Sequence, residues 1–196
     1  IAVRSMANGA EHEVTFEDAA YGVGVDENPE YAVNLLRFTY SSLVTPPSVY
    51  DYDMATKQRV LKKRQEVLGG YEPGLYTVER QMATSGNGTA RIPISIVYKA
   101  PLKFDGSRPL LLYAYGSYGA TTEPTFSAAR LALLDRGFIF AIAHVRGGQE
   151  MGRPWYDGGK MLNKVNTFSD FIDVATYLVG NGYTSEKNMV AHGGSA

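Results

Sequence analysis

The chain has 196 residues, 44% apolar and 12% aromatic, enough to bury the core of one large domain or of parts of two. Nineteen basic against 20 acidic residues leave a net charge of −1, so no basic field points to nucleic acid or an anionic membrane, and the absence of cysteine excludes a disulfide framework, a thiol nucleophile and a cysteine zinc site within these residues. No apolar run approaches the roughly 18 to 20 residues of a spanning helix, and the chain opens at Ile1 without the basic and apolar regions of a signal peptide.

Residues 1–68 predict short strands between turns, at 12–16, 35–42, 48–52 and 58–63. The last two read as a hairpin closed by the polar turn Met54-Ala55-Thr56-Lys57. Such a meander suits a propeller blade or a sandwich, and no internal repeat separates the two. Gly69, Gly70, Pro73 and Gly74 then interrupt any regular element, which predicts a linker over 69–75.

Beyond the linker, residues 76–83 and 92–99 alternate as two antiparallel strands joined by a turn at Gly86-Asn87-Gly88. The apolar runs 110–114 and 138–143 fit strands buried on both faces. Between them a helix is expected over 125–135, with Phe126, Ala129, Leu133 and Leu134 on one face and Gly137 as its stop. Strand, helix, strand implies a right-handed crossover in a parallel sheet. A second helix is expected from Thr167, which with Asp170 forms a capping-box-like start, to the stop at Gly180-Asn181-Gly182. Its apolar face would hold Phe168, Phe171, Ile172, Ala175, Leu178 and Val179, with Asp170 and Asp173 pointing elsewhere. Residues 188–192 read as one more short buried strand. The three strands 110–115, 138–143 and 188–192 are therefore expected side by side in one mainly parallel sheet.

That last strand runs into Gly193-Gly194-Ser195-Ala196. In the Gly-x-Ser-x-Gly nucleophile elbow, small neighbours let a tight strand-to-helix turn lift a serine hydroxyl above a parallel sheet. Here Gly193 and Ala196 are the small neighbours, and the closing glycine of the motif is not among the 196 residues. Strand, helix, strand and sharp serine turn form the context an elbow requires. Ser195 is thus the candidate nucleophile, with the backbone N–H of Ala196 as an oxyanion donor; a serine in a flexible Gly-Gly-Ser tail is the alternative.

Several further stretches carry a family likeness: Arg37-Phe38-Thr39-Tyr40-Ser41-Ser42-Leu43 with Thr45-Pro46-Pro47, Tyr113-Ala114-Tyr115-Gly116-Ser117-Tyr118-Gly119, and Leu133-Leu134-Asp135-Arg136-Gly137. Others are His144-Val145-Arg146-Gly147-Gly148-Gln149-Glu150-Met151-Gly152, Asn166-Thr167-Phe168 and Gly182-Tyr183-Thr184-Ser185. In this order they resemble the prolyl oligopeptidase family of serine peptidases, within it most closely the oligopeptidase B group. The resemblance implies an α/β fold: residues 1–68 as the end of a seven-bladed β-propeller, 69–75 as linker and 76–196 as the first half of an α/β-hydrolase catalytic domain. It also implies that the chain is a truncated fragment, inactive by itself, of a serine oligopeptidase that acts through an acyl-enzyme.

Residue by residue, the resemblance carries an oxyanion hydroxyl onto Tyr115, where the residues alone favour a packing tyrosine at a strand end. It makes Tyr118 an aromatic of the pocket for the residue before the scissile bond, although a loop aromatic equally suits a lid contact. It offers Glu123 as a charge-assisted partner for a basic substrate group; a second acid found two residues on in the family is Thr125 here, and a solvated surface glutamate is the alternative. His192 and His144 are expected to be structural, because α/β-hydrolases place acid and histidine after the serine. Short peptides with basic residues are the implied partners, cleaved after Arg or Lys. No cofactor, metal, nucleic acid or membrane is implied, and a cytoplasmic location is expected. An esterase or another peptidase on the same fold, or a noncatalytic fragment, are the competing readings.

Overall fold

The structure, a computed structural model, describes residues 1–195. The chain divides into two compact units, Ile1–Pro73 with Pro124–Ser127, and Gly74–Glu123 with Ala128–Ala196.

In the first unit, strands β1 (Ala2–Arg4) and β2 (Glu11–Glu13) form an antiparallel pair. Strands β3 (Tyr21–Val25), β4 (Leu35–Ser42), β5 (Ser48–Asp53) and β6 (Arg59–Arg64) follow as an antiparallel meander in chain order. The expected hairpin is present as β5 and β6: Asp53 Oδ1 accepts from the N–H groups of Ala55 at 2.8 Å and Thr56 at 3.0 Å, which ties down the polar turn. Register puts Arg37 opposite Asp51, and the guanidinium donates to both carboxylate oxygens at 2.7 and 2.9 Å. Phe38, Tyr40, Tyr52 and Val14 form the core, with Phe16 stacked on Tyr40 at 4.6 Å between centroids. The strand expected over 12–16 ends instead at Glu13, because its partner β1 is only three residues long; Val14 and Phe16 continue into the core without extending a strand. Strands β1 and β3 carry no alternating signal strong enough to be read, β3 being interrupted by Gly22 and Gly24.

The second unit is built on a five-stranded sheet. It comprises β7 (Tyr76–Thr84), β8 (Arg91–Lys99), β9 (Leu110–Tyr113), β10 (Ile139–Ala143) and β11 (Met189–His192), in the order β11-β9-β10-β8-β7. Strands β11, β9 and β10 are parallel neighbours as expected, while β8 and β7 add two antiparallel pairings, so the sheet is mixed. All five residues of β10 are buried, which is why its run is wholly apolar. Among the described residues β11 pairs only with β9, and Val190 is 52% exposed.

The helices are α1 (Ala128–Leu134), α2 (Arg153–Asp157) and α3 (Val165–Gly180). Helix α1 starts three residues later than expected and buries Leu131 and Leu134; Ala129 is exposed and Phe126 lies outside the helix, against Tyr71. Helix α3 is rotated relative to the expected face. Thr167, Asp170, Val174 and Leu178 are buried, whereas Phe168 is 59% and Ile172 63% exposed. The cause is a long-range pair. Asp170, fully buried, accepts from Arg146 Nε at 2.9 Å and Nη2 at 2.6 Å, and from the Arg146 backbone N–H at 2.9 Å. A buried carboxylate with three donors is satisfied, and removing either partner would leave the other as an uncompensated buried charge. Thr167 and Asp170 therefore do not cap the helix; Thr167 Oγ1 donates to Arg146 O at 2.6 Å, and the helix opens at Val165 without a side-chain cap.

Candidate active site

Strands β9 and β11 run parallel with Tyr113 opposite His192, and the ladder continues one step further as Ala114 N donates to His192 O at 3.3 Å. Their C-terminal ends thus emerge side by side, the position where open α/β sheets place ligands. From β11 the chain passes through Gly193 and Gly194 to Ser195, an exposed serine held at φ +67°. A non-glycine residue in the left-handed region is strained, and an elbow nucleophile is a place where that strain serves to present a side chain. A Cβ at Gly193 would meet Ala114 O at 3.2 Å, tighter than ordinary contact, so the residue just past β9 is approached here by a residue without a side chain. Ala196 lies outside the described residues.

From β9 the chain continues to Tyr115, partly buried, which lines a cleft of about 370 Å³ together with Ser195, Gly193, Val145, Thr167 and Phe171. The structure therefore brings Ser195 and Tyr115 to the lining of one cavity. Tyr118 and Glu123 are not among the residues lining it. Tyr118 sits in the turn after Ser117 at φ +57° and is 78% exposed; Glu123 is exposed on the same loop. The peptide N–H of Thr122, next to Glu123, donates to the buried carboxylate of Glu150 at 2.9 Å.

Two glycines set the floor beneath Tyr115. At Gly116 a Cβ would fall 2.4 Å from Thr167 Cγ2, and at Gly147, whose φ is +103°, it would fall 2.1 Å from Gly116 O. The loop leaving β10 and the loop leaving β9 can touch backbone to backbone only because both residues lack a side chain. The Arg146–Asp170 pair locks the first of these loops to α3.

The two histidines of this unit differ in setting, and only His192 lines the cleft with Ser195. His144 is buried at the end of β10, its Nε2 hydrogen-bonded to Ser95 Oγ at 2.8 Å and its Nδ1 3.6 Å from Glu150 Oε1. Burial lowers its pKa below the ordinary histidine value, opposed by Glu150 and reinforced by Arg80, which favours the neutral ring. His192 is exposed and packs edge-on against Tyr113, 5.5 Å between centroids. Sequence reasoning missed Lys164, whose Nζ donates to Gly116 O at 2.8 Å and Ser117 Oγ at 2.5 Å. A lysine in a polar segment before a helix has no local mark that would single it out.

A strained serine at the end of a parallel strand, facing a cleft shared with the neighbouring strand end, defines an α/β-hydrolase type of site. Residues 124–196 match the prolyl oligopeptidase family, and residues 1–65 match the prolyl oligopeptidase N-terminal beta-propeller domain. The chain belongs to the prolyl oligopeptidase family. It is 46% identical to dipeptidyl aminopeptidase BI of Pseudoxanthomonas mexicana over 97% of its own length and 26% of the relative's. It is 39% identical to protease 2 of Moraxella lacunata, over 96% of this chain and 27% of that one. The structure of oligopeptidase B from Leishmania major superposes with a TM-score of 0.85 at 40% identity, covering 97% of this chain and 28% of that structure. The chain thus spans about a quarter of the length of these relatives. The meander β3–β6 falls within the part that matches the propeller, and a four-stranded antiparallel sheet is the form of a propeller blade.

Proposed function

We propose that these residues supply the nucleophile and the oxyanion hydroxyl of a serine peptidase that cleaves short peptides after Arg or Lys through an acyl-enzyme. The observation that carries the reading is the placement of Ser195, at φ +67°, in one cleft with Tyr115. Ser195 Oγ attacks the scissile carbonyl while a histidine takes its proton; the carbonyl oxygen becomes an oxyanion that receives hydrogen bonds from the Tyr115 hydroxyl and the Ala196 N–H. The tetrahedral intermediate collapses to the acyl-enzyme, the histidine returns the proton to the leaving amine, and water releases the acid. The acid and the histidine follow the serine in chain order on this fold. With His144 hydrogen-bonded to Ser95 Oγ and no hydrogen bond between His192 and Ser195 among the described residues, residues 1–196 by themselves are expected to turn over no peptide; turnover by these residues in isolation that Ser195→Ala abolishes would refute this.

Basic specificity is supported by the likeness to oligopeptidase B and by Glu123, an exposed carboxylate on the loop that follows Tyr115; Tyr118 on the same loop would supply the aromatic wall. A second reading, release of dipeptides from free N-termini, is favoured by the 46% identity to dipeptidyl aminopeptidase BI. Peptides with one internal arginine, with the N-terminus free or acetylated, separate the two when offered to the full-length gene product and mapped by mass spectrometry. Cleavage after arginine in both peptides is expected. Dipeptide release from the free peptide alone would replace endopeptidase action by the second reading, and a preference for uncharged residues would remove the role of Glu123.

A further inference from the structure

Lys164 immediately precedes α3, and its side chain reaches back to the segment that follows Tyr115. Its Nζ donates to Gly116 O at 2.8 Å and to Ser117 Oγ at 2.5 Å, and Ser117 is itself buried. Among the described residues no carboxylate pairs with Lys164, and burial lowers its pKa below the ordinary lysine value. The partly buried ammonium is instead satisfied by these two oxygens, and a charge-assisted hydrogen bond of this kind holds its acceptor more firmly than a neutral one. The same Gly116 peptide is confined from its other side, where Gly147 approaches so closely that a Cβ would fall 2.1 Å from Gly116 O. The Lys164 ammonium also lies 5.7 Å from the ring centroid of Phe168, a further residue of the cleft wall. The peptide next to Tyr115 is therefore gripped from two elements, the start of α3 and the loop after β10.

We propose that Lys164 is a positioning residue: by holding Gly116 O and Ser117 Oγ it fixes the Tyr115–Gly116 backbone, and through it the place of the Tyr115 hydroxyl over the cleft that contains Ser195. The inference rests on the oxyanion role proposed for Tyr115. A donor serves an oxyanion only within a narrow range of distance and direction, and displacements near 1 Å cost up to about 10²-fold in rate. Lys164 touches no substrate in this account, so its loss lowers turnover while leaving ground-state binding nearly intact.

The test is a double-mutant cycle in the full-length gene product, with Lys164→Met, Tyr115→Phe and the pair, reading kcat and KM on an arginyl amide. Each preparation is normalised to the fraction of molecules labelled by a fluorophosphonate, so that unfolded protein is not counted. Lys164→Met is expected to lower kcat about tenfold with KM within about twofold, and to change kcat less than about twofold once Tyr115 is Phe. Lys164→Gln, which keeps one N–H donor, should lie between wild type and Lys164→Met, and carries the cycle if the methionine variant does not fold. An equal loss from Lys164→Met in both backgrounds, with Tyr115→Phe itself impaired, overturns the positioning role and leaves the oxyanion reading intact. An unimpaired Tyr115→Phe overturns the oxyanion reading and the proposal with it. Loss of labelling in both Lys164 variants makes Lys164 a residue of the fold and overturns the proposal too.

Discussion

Ser195→Ala in the full-length gene product is expected to lower kcat on an arginyl amide by on the order of 10⁶-fold and to abolish covalent labelling by a fluorophosphonate. The size follows from the chemistry: without Oγ no acyl-enzyme forms, and only the oxyanion donors and substrate binding remain to act on water. The fold has little reason to respond. Serine and alanine both carry a Cβ, so the strain of φ +67° is present in either, and the exposed Ser195 side chain fills no core. Thermal unfolding measured alongside kinetics should accordingly be nearly unchanged. Turnover that survives the substitution, or a fluorophosphonate adduct mapped to a different serine, would remove Ser195 from the role of nucleophile.

Ser195 stands out in the sequence because it sits where a local pattern ends, whereas Tyr115 stands out only through the family resemblance, since the residues alone favour a packing tyrosine there. An apolar run announces β9 and β10, the tyrosine stands just past β9, and the glycine pair before Ser195 marks a turn that a strand enters. Strand β4 matches the expected 35–42 at both ends, its centre marked by Phe38, Thr39 and Tyr40. Helix α3 shows where such reading stops. Its periodic apolar residues suggested that Phe168 and Ile172 face inward, yet the buried face is chosen by Asp170, whose partner Arg146 lies 24 residues earlier. No window of the helix contains that information. Strand β11 lies where its short apolar run suggests, parallel to β9, but what pairs with a strand is not written in the strand itself. Lys164 was invisible for the same reason as Asp170, because its meaning lies in Gly116 and Ser117, 48 and 47 residues away.

Tyr115→Phe is expected to lower kcat by about a hundredfold to a thousandfold, the roughly 2.7 to 4 kcal/mol that one oxyanion-hole donor contributes to the transition state. The substitution removes one oxygen and keeps the ring, so the packing of a partly buried side chain at the end of β9 is retained and the hydroxyl alone is tested. KM should change much less. A neutral carbonyl in the ground state gains little from the donor, whereas the tetrahedral oxyanion gains most, and an interaction made chiefly in the transition state appears in kcat. Labelling by a fluorophosphonate should become slower but remain complete, since Ser195 is still present. This distinguishes the variant from Ser195→Ala in a single experiment. The competing account, a tyrosine that merely packs beside the parallel strands, makes the opposite forecast, because phenylalanine packs equally well there and kcat would not move. Steady-state kinetics on the same arginyl amide decide between them, and an unchanged kcat would remove Tyr115 from the oxyanion role.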